Sequence, residues 1–235
     1  DVRYQTKEYL SGRYAKKVQL ALEKRKEIYD IMMSFKTQEA NNEDRENYYP
    51  VSVYCGDCYK DSTVIKSYNE NTHELTYYCK ACKKEETVDV LNYFKIKLVW
   101  KVDWPMRWQM ENVDFEAGGI DHAASGGSYQ VDTVLSPKIF GYNAPVFQGY
   151  GWLGFQGVSS MHSSSGINIT PANALKLYEP EILRWLFAKY EPKDAYNFYF
   201  DETLIRHYSE FDKGLQSYLD GSCDEMTKDL YDLCL

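Results

Sequence analysis

Long apolar runs are missing from this 235-residue chain. None approaches the roughly 20 residues that a membrane-crossing helix needs, so no membrane partner is expected. No stretch joins a charged start, an apolar middle and small residues in the manner of a secretory signal. The expected location is therefore the cytoplasm or another reducing compartment. The sequence has no initiating Met and enters a helical pattern almost at once, which reads like the interior of a longer gene. Internal repeats and low-complexity tracts are absent. So is an excess of positive charge: 27 Lys and Arg face 35 Asp and Glu, for a net charge of -8. That balance argues against wholesale phosphate binding. It is uneven, however, because residues 1–36 carry nine basic side chains against five acidic ones, whereas residues 196–235 carry three against nine. A basic strip on an acidic protein can touch RNA locally, although a solvated helix face is the commoner meaning.

What is present is the ordinary make-up of a soluble globular protein, 44% apolar and 26% charged, with 22 Tyr suited to half-buried positions and interfaces. Leu20, Ile28, Ile31 and Met32 fall near helical spacing, with Lys16, Lys17, Glu23, Lys24 and Glu27 opposite them. This pattern predicts one amphipathic helix over 12–36, followed by a polar linker over 37–50. The period then shortens. Pairs such as Val51/Val53, Val64/Ile65, Leu75/Tyr77, Val88/Val90 and Ile96/Leu98, separated by turn formers such as Asn69-Glu70-Asn71, predict a small β module over 51–100. Glycines puncture residues 98–157 at a density that suits loops at strand ends. Thr170-Pro171 and Pro180 open helices, the second with Ile182, Leu183, Leu186 and Phe187 on one face. Further helices are expected in 201–219 and 223–234.

Cys55-Gly-Asp-Cys58 and Cys79-Lys-Ala-Cys82 form a paired CxxC pattern with 20 residues between the pairs. Each pair suits a tight turn that aims two thiolates at one ion, and two such turns complete a closed tetrahedral zinc site. Zinc is favoured over disulfides or free thiols. A site of four cysteines has no open position, so its role is structural, and so small a core would be marginal without the metal. Seven acids and seven lysines balance between Cys55 and Lys97, so the ribbon shows no obvious charge for RNA. Cys223 and Cys234 read as packing residues.

The stretch Lys97-Leu-Val-Trp-Lys-Val-Asp-Trp-Pro-Met-Arg-Trp108 resembles the class I lysyl-tRNA synthetases. Val113-Asp-Phe-Glu116, Gly119-Ile-Asp-His122, Ser125-Gly-Gly-Ser-Tyr129, Ile139-Phe-Gly141 and Tyr178-Glu-Pro-Glu-Ile-Leu-Arg-Trp185 extend the match. Tyr9-Leu-Ser-Gly-Arg-Tyr14 and Ala21-Leu-Glu-Lys-Arg25 match upstream, and Tyr199-Phe-Asp-Glu-Thr-Leu-Ile-Arg206 matches downstream. The resemblance implies an α/β fold: the second half of a Rossmann-type catalytic domain, a zinc-ribbon insertion and flanking helices. The division it implies is a basic helical connector (1–47), the zinc ribbon (48–97), the catalytic half (98–178) and a helical start of the anticodon-side region (179–235). The implied activity is a ligase reaction. Lysine attacks ATP, with magnesium, and the lysyl group passes to tRNA. The family's first signature would lie before residue 1, so the chain is expected to be an internal fragment or a reduced paralogue. A protein partner or larger complex is expected to complete the half-domain, through strand edges near Val99, Val113 and Val146.

Site roles follow from the same resemblance. Asp121 matches the acid on the ribose side and His122 its partner on the adenylate side; Asp121 can also be read as a loop cap. Gly126 and Gly127 would let backbone approach the nucleotide or lysine, and Tyr150 is implied as a further nucleotide- or lysine-binding residue. Trp100, Asp103 and Trp104 are expected on a strand-to-loop passage. Trp104 reads equally as a cation–π wall for an ammonium or as core, and Trp100 reads as core. The departures matter as much. The family's second signature, a Lys-Met-Ser-Ser-Ser-Lys-Gly type loop, is here Ser160-Met-His-Ser-Ser-Ser-Gly166. Ser160 and Ser165 replace both lysines, beside His162, Ser163 and Ser164, and uncharged donors answer less well to departing pyrophosphate. Gly151 stands where an acid is usual and Gln156 where a lysine is common. Impaired catalysis with retained structure is the expectation. The alternative is a non-catalytic structural or RNA-binding subunit.

Overall fold

Gly12 ends the first helix, α1 (Gln5–Leu10). It adopts φ +80°, and a Cβ there would press on the ring of Phe94 at 2.7 Å, so only glycine serves. The single helix expected over 12–36 is two, α2 (Ala15–Glu23) and α3 (Arg25–Ser34), parted at Lys24 by torsions of φ -92° and ψ 9°. Hydrogen bonding runs on through the break, because Lys24 N donates to Leu20 O and Ile28 N to Lys24 O, both at 2.9 Å. Of the expected apolar stripe, Ile28 and Ile31 are buried and Leu20 and Met32 are partly buried, and Val18, Ala21 and Leu22 complete the buried face. The expected linker holds one short helix, α4 (Asn42–Glu46), whose cap Asn41 accepts the Glu43 amide. The structure, a computed structural model, describes residues 2–37, 41–155 and 170–235.

The β module forms as its alternation predicts. Strand β1 (Val51–Val53) pairs antiparallel with β5 (Ile96–Leu98), and β2 (Thr63–Asn69), β3 (Glu74–Cys79) and β4 (Lys84–Asp89) make a three-stranded antiparallel sheet. Val51, Val53, Leu75, Tyr77, Ile96 and Leu98 are buried, and the strand residues between them (Ser52, Thr76 and Lys97) are not, the period of two that half-covered strands show. At the β2–β3 turn, Asn69 Oδ1 accepts the amide of Asn71 at 2.9 Å, which is the local bond that makes Asn a turn former.

The Trp-rich stretch is helix where a strand-to-loop passage was expected. Trp100 begins α5 (Trp100–Glu111), which ends at Asn112 in the left-handed region. Val102 and Met106, four apart, are fully buried with Trp108. That helical period outweighs Pro105, which sits in the second turn and removes only one internal hydrogen bond. Val99 and Val113 accordingly lie outside strands, while Val146 begins one. After α5 come β6 (Phe115–Gly119), a 3-10 turn (Ile120–Ala123), α6 (Ser128–Leu135), a π turn (Ser136–Phe140) and β7 (Val146–Tyr150), which pairs with β6.

The chain divides into two compact units. One comprises Asp1–Glu116 with Asp121–Phe147, and the other Ala117–Ile120 with Gln148–Leu235. The core of the first joins α2, α3, the ribbon strands, α5 and α6. The second contains β8 (Leu153–Phe155), parallel to β9 (Tyr196–Phe198), with α7 (Pro171–Ala174), α8 (Pro180–Ala188), α9 (Glu202–Leu219) and α10 (Glu225–Cys234). Thr170 and Asn173 form a reciprocal capping box at α7. On α8, Ile182, Trp185 and Leu186 are buried, but Phe187, expected on the same face, is 54% exposed. Its register, five beyond Ile182, carries it past the buried stripe. No helix among the described residues is long and apolar enough to cross a membrane.

Candidate metal centre and aromatic pocket

The two CxxC turns bring four thiols together. Cys55 and Cys58 follow β1, while Cys79 and Cys82 form the turn between β3 and β4. Their Sγ atoms all lie within 4.8 Å of one another. Cys55 to Cys82 is 3.8 Å and Cys58 to Cys79 is 3.7 Å. Tetrahedral metal–sulfur bonds of about 2.3 Å would set sulfurs about 3.8 Å apart, whereas a disulfide needs about 2.05 Å. All four cysteines are free, and the donor set fits a metal ion. Backbone bonds shape each turn: Tyr59 N donates to Cys55 O at 3.0 Å, Cys55 N to Lys60 O at 2.9 Å and Lys83 N to Cys79 O at 2.8 Å. Hydrogen bonding from the Cys58 backbone, ahead of other causes, holds the Cys55 thiol down to about 7. Hydrogen bonding with the Cys58 side chain pushes Cys82 up to about 12. Beneath the turns, Tyr77 Oη accepts the Gly56 amide at 3.0 Å and donates to Glu86.

These turns force the residue after each second cysteine into the left-handed region. Tyr59 has φ 59° and Lys83 has φ 55°. For a residue with a side chain this costs roughly 1–2 kcal/mol, and no glycine stands at either place.

The second site is an aromatic cluster around Trp104. Trp100, Trp104 and Trp108 repeat every four residues along α5, with ring centroids 5.1 and 5.3 Å apart. His122, on the 3-10 turn, lies 5.4 Å from Trp104 and 6.4 Å from Trp100. Tyr129 of α6 and Phe147 of β7 stack at 4.4 Å and meet Trp104 edge-on, each at 6.5 Å. Trp104 is 6% exposed, but Trp100, expected in the core, is 45% exposed. Trp100 shares the face of Trp104 but is the first residue of α5, so its side chain, leaning toward the helix N-terminus, projects past the covered turns. Trp108 Nε1 donates to Glu116 at 3.0 Å.

Asp103 does not face this cluster as a free acid. It is buried, accepts a short hydrogen bond from Tyr9 Oη and pairs with Arg107 at 2.9 Å. Arg107 in turn lies 5.2 Å from the Trp100 ring centre. Burial first, then the Asp103 charge, pushes the Tyr9 hydroxyl far up. Tyr9, Arg107, Tyr129 and Phe147 were not singled out as site residues in the sequence. Tyr9, Arg107 and Tyr129 stand within the family-like motifs without a role assigned to them, and Arg107, four after Asp103, also has the spacing of a helical ion pair.

Asp121 is exposed beside His122. The glycines that follow answer to their own loop. A Cβ on Gly127 would strike His122 O, and would lie 2.8 Å from Ala124 O and 2.9 Å from Asp121 O. Gly126 has φ +70°, and its carbonyl accepts Lys101 Nζ at 3.1 Å. Nearby, Asp132 is fully buried with neither carboxylate oxygen partnered, and burial pushes its carboxyl up to about 9 against the opposing charge of Lys101. Tyr150 belongs to the second unit, at the end of β7, and is 50% exposed. Next to it, a Cβ on Gly151 would meet Asp194 O at 2.5 Å. Gln156 and the signature loop with Ser160, His162, Ser163, Ser164 and Ser165 lie outside the described residues.

Compared with known proteins, residues 1–233 match the family model described as "tRNA synthetases class I (K)". The chain belongs to this family. It is 36% identical over 93% of its length to a lysine–tRNA ligase of Streptomyces coelicolor, covering 42% of that protein. It is 37% identical over 89% of its length to one of Borreliella burgdorferi, covering 39%. A third, from Thermococcus kodakarensis, is 36% identical over 97% of this chain and is itself covered to 44%. The chain thus spans about two fifths of the length of the curated relatives it matches. The fold is the α/β fold of a class I synthetase domain, with four clustered cysteines that can hold a metal ion.

Proposed function

We propose that this synthetase-family chain supplies the zinc-ribbon and lysine-side portion of a lysine–tRNA ligase, and that its activating chemistry is weakened. The observation that carries the reading is the Trp100–Trp104–His122 ring face beside Asp121. Indole faces attract a cation such as the lysine ammonium, by about 0.5–2 kcal/mol depending on desolvation. A carboxylate next to them can accept two ribose hydroxyls, and His122 lies on the adenylate side. Gly126 and Gly127 hold the loop that follows, and Tyr150 keeps only the nucleotide- or lysine-binding role that the family resemblance gives it. In the family reaction the substrate carboxylate attacks the α-phosphate of ATP, pyrophosphate leaves, and the lysyl group passes to a tRNA ribose. Charge grows on the phosphates as the bond breaks, so donors there decide the rate. Ser160, His162, Ser163, Ser164 and Ser165 donate without the permanent charge of two lysines. Losing one such donor typically costs about 10²–10³ in rate. ATP and magnesium are needed only as far as activity persists. Zinc, held by Cys55, Cys58, Cys79 and Cys82, is structural. A reducing compartment such as the cytoplasm keeps those thiols available to it.

Lysine-dependent exchange of pyrophosphate into ATP tests the reading. The purified chain is expected to show none above a no-enzyme control, while lysine still quenches its tryptophan emission, an effect lost in His122→Ala. Clear exchange would overturn the impairment, and absence of any lysine-dependent quenching would overturn the pocket.

One observation favours a protein partner as well. Phe115 and Val146, of β6 and β7, are 60% and 71% exposed. Apolar side chains left open along paired strands suit coverage by another chain. Sedimentation as a stable 27.5 kDa monomer that binds no apolar dye would count against it.

A further inference from the structure

A groove of about 510 Å³ opens between α1 and the base of the ribbon; no ring of the Trp104 cluster and none of the four cysteines lines it, although Tyr54 and Tyr59 flank the Cys55–Cys58 turn. Its volume is within the ~300–1,000 Å³ range of ligand sites. Leu10, Tyr54, Tyr59, Phe94, Lys95 and Lys97 are among its walls, and no carboxylate lines it. The ribbon as a whole balances seven acids with seven lysines between Cys55 and Lys97, so this positive charge is local to the groove.

Tyr59 is the informative residue. The metal-binding turn sets its backbone at φ 59°, as it sets Lys83 at φ 55° in the matching turn. Glycine would satisfy that geometry without strain. A large ring there does nothing for the turn, and Tyr59 keeps 68% of its surface exposed. Its close companion is Lys95, with Nζ 4.2 Å from the ring centre. Phe94 is held from behind by Gly12, which leaves no room for a Cβ. Lys97, on β5, points outward and is exposed.

We propose that this groove takes an unpaired stretch of RNA, with bases stacked on Tyr59 and Phe94 and the neighbouring phosphates met by Lys95 and Lys97. Flat aromatic faces beside lysines, with no acid among them, are the means by which proteins hold single strands with little sequence preference. Paired bases hide the faces that Tyr59 would stack on, so a duplex is a poorer ligand. An acidic peptide could use the lysines but has no need of the rings. The inference rests on RNA as a partner of this chain and not on lysine activation.

The test uses the purified, zinc-loaded full chain and three probes: a fluorescein-labelled eight-nucleotide single-stranded RNA, the same strand in a duplex, and intact lysine tRNA. The single strand is expected to bind better than the duplex. Tyr59→Gly and Lys97→Glu should each weaken it at least about five-fold, the lower end of what losing one base stack produces, and Tyr59→Phe should keep it. Metal content and melting temperature should be unchanged or, for Tyr59→Gly, raised, so that weaker binding is not misfolding. Equal affinity of wild type and Tyr59→Gly for the single strand overturns the proposal, as does equal binding of duplex and single strand. Binding of tRNA that Tyr59→Gly leaves untouched removes this groove alone, whereas no binding of any RNA by the wild type removes RNA as a partner. Neither outcome bears on the lysine pocket, which the exchange and quenching measurements address.

Discussion

The ring of His122 stands edge-on to that of Trp104, with 5.4 Å between centroids and 67° between planes. This contact ties the 3-10 turn to α5, so the exposed Asp121 is carried at a fixed distance along the chain from an indole face. Polar-edge to ring-face pairs of this sort are worth about 0.5–1.5 kcal/mol beyond the area they bury. The pocket's order therefore depends on how firmly α5 is held.

Asp103 supplies much of that hold. It gathers Tyr9 from α1 and Arg107 from its own helix, and Arg107 lies against the half-exposed Trp100 ring. Removing one partner of a buried charged pair leaves the other uncompensated, which costs about 3–5 kcal/mol. The Arg107 side chain is 21% exposed, so the lower end applies. Asp103→Ala is expected to lower unfolding free energy in urea by about 3 kcal/mol, and Asp103→Asn by less. A midpoint unchanged by Asp103→Ala would show that the triad contributes nothing net.

The sequence made some of this legible and not the rest. The β module and the four thiols were readable because both signals are local: alternation of Val51, Val53, Leu75 and Tyr77, and a fixed CxxC spacing. The helix over Trp100–Glu111 is not legible locally, because Pro105 and three β-favouring indoles outweigh Val102 and Met106 as neighbours in sequence. Packing of those two residues into the core reverses the balance. Tyr9 meets Asp103 across 94 positions of sequence, and no local pattern announces such a pair. Gly127 was legible as special but not for its reason, which is crowding by three carbonyls of its own loop.

The metal centre gives the next expectation. Purified chain should contain about one equivalent of zinc, and Cys79→Ser should lose it. Because β3 and β4 meet at the Cys79–Cys82 turn, chelation should melt the three-stranded sheet before the second unit, seen as loss of amide protection over 63–89. Metal-free protein with these four thiols freely alkylated in the folded state would sink the idea.

Asp132 makes stability depend on pH. Its folded carboxyl titrates at about 9, against about 3.9 in an unfolded chain. Between those values the folded state keeps a proton that the unfolded state has lost, so raising the pH favours unfolding, by up to about 1.4 kcal/mol per pH unit. The relative benefit of a protonated Asp132 is complete below the unfolded value and is lost progressively as the pH climbs toward the folded one. Asn cannot ionise, so Asp132→Asn should gain on the wild type steadily from pH 5 to pH 8. Parallel stability curves for the two proteins over that range would refute the account.

Gly151 tests whether the acid that the family resemblance implies at this position can be introduced by substitution. Its amide donates to Pro192 O at 2.7 Å, and an added Cβ would sit 2.5 Å from Asp194 O and 2.8 Å from Lys193 O. These are backbone atoms of a turn that leads into β9, and β9 is itself paired with β8, so they cannot swing aside as a flexible side chain would. Any side chain must therefore displace the turn, which by analogy with overpacked cores costs about 1–3 kcal/mol. The obstruction lies at the first carbon, so Gly151→Ala and Gly151→Glu are expected to be destabilised by similar amounts. Denaturant midpoints of the two variants decide it. If Gly151→Glu were as stable as wild type while Gly151→Ala was not, the carboxylate would have found a partner that repays the displaced turn, and the missing acid would be restorable by a single change.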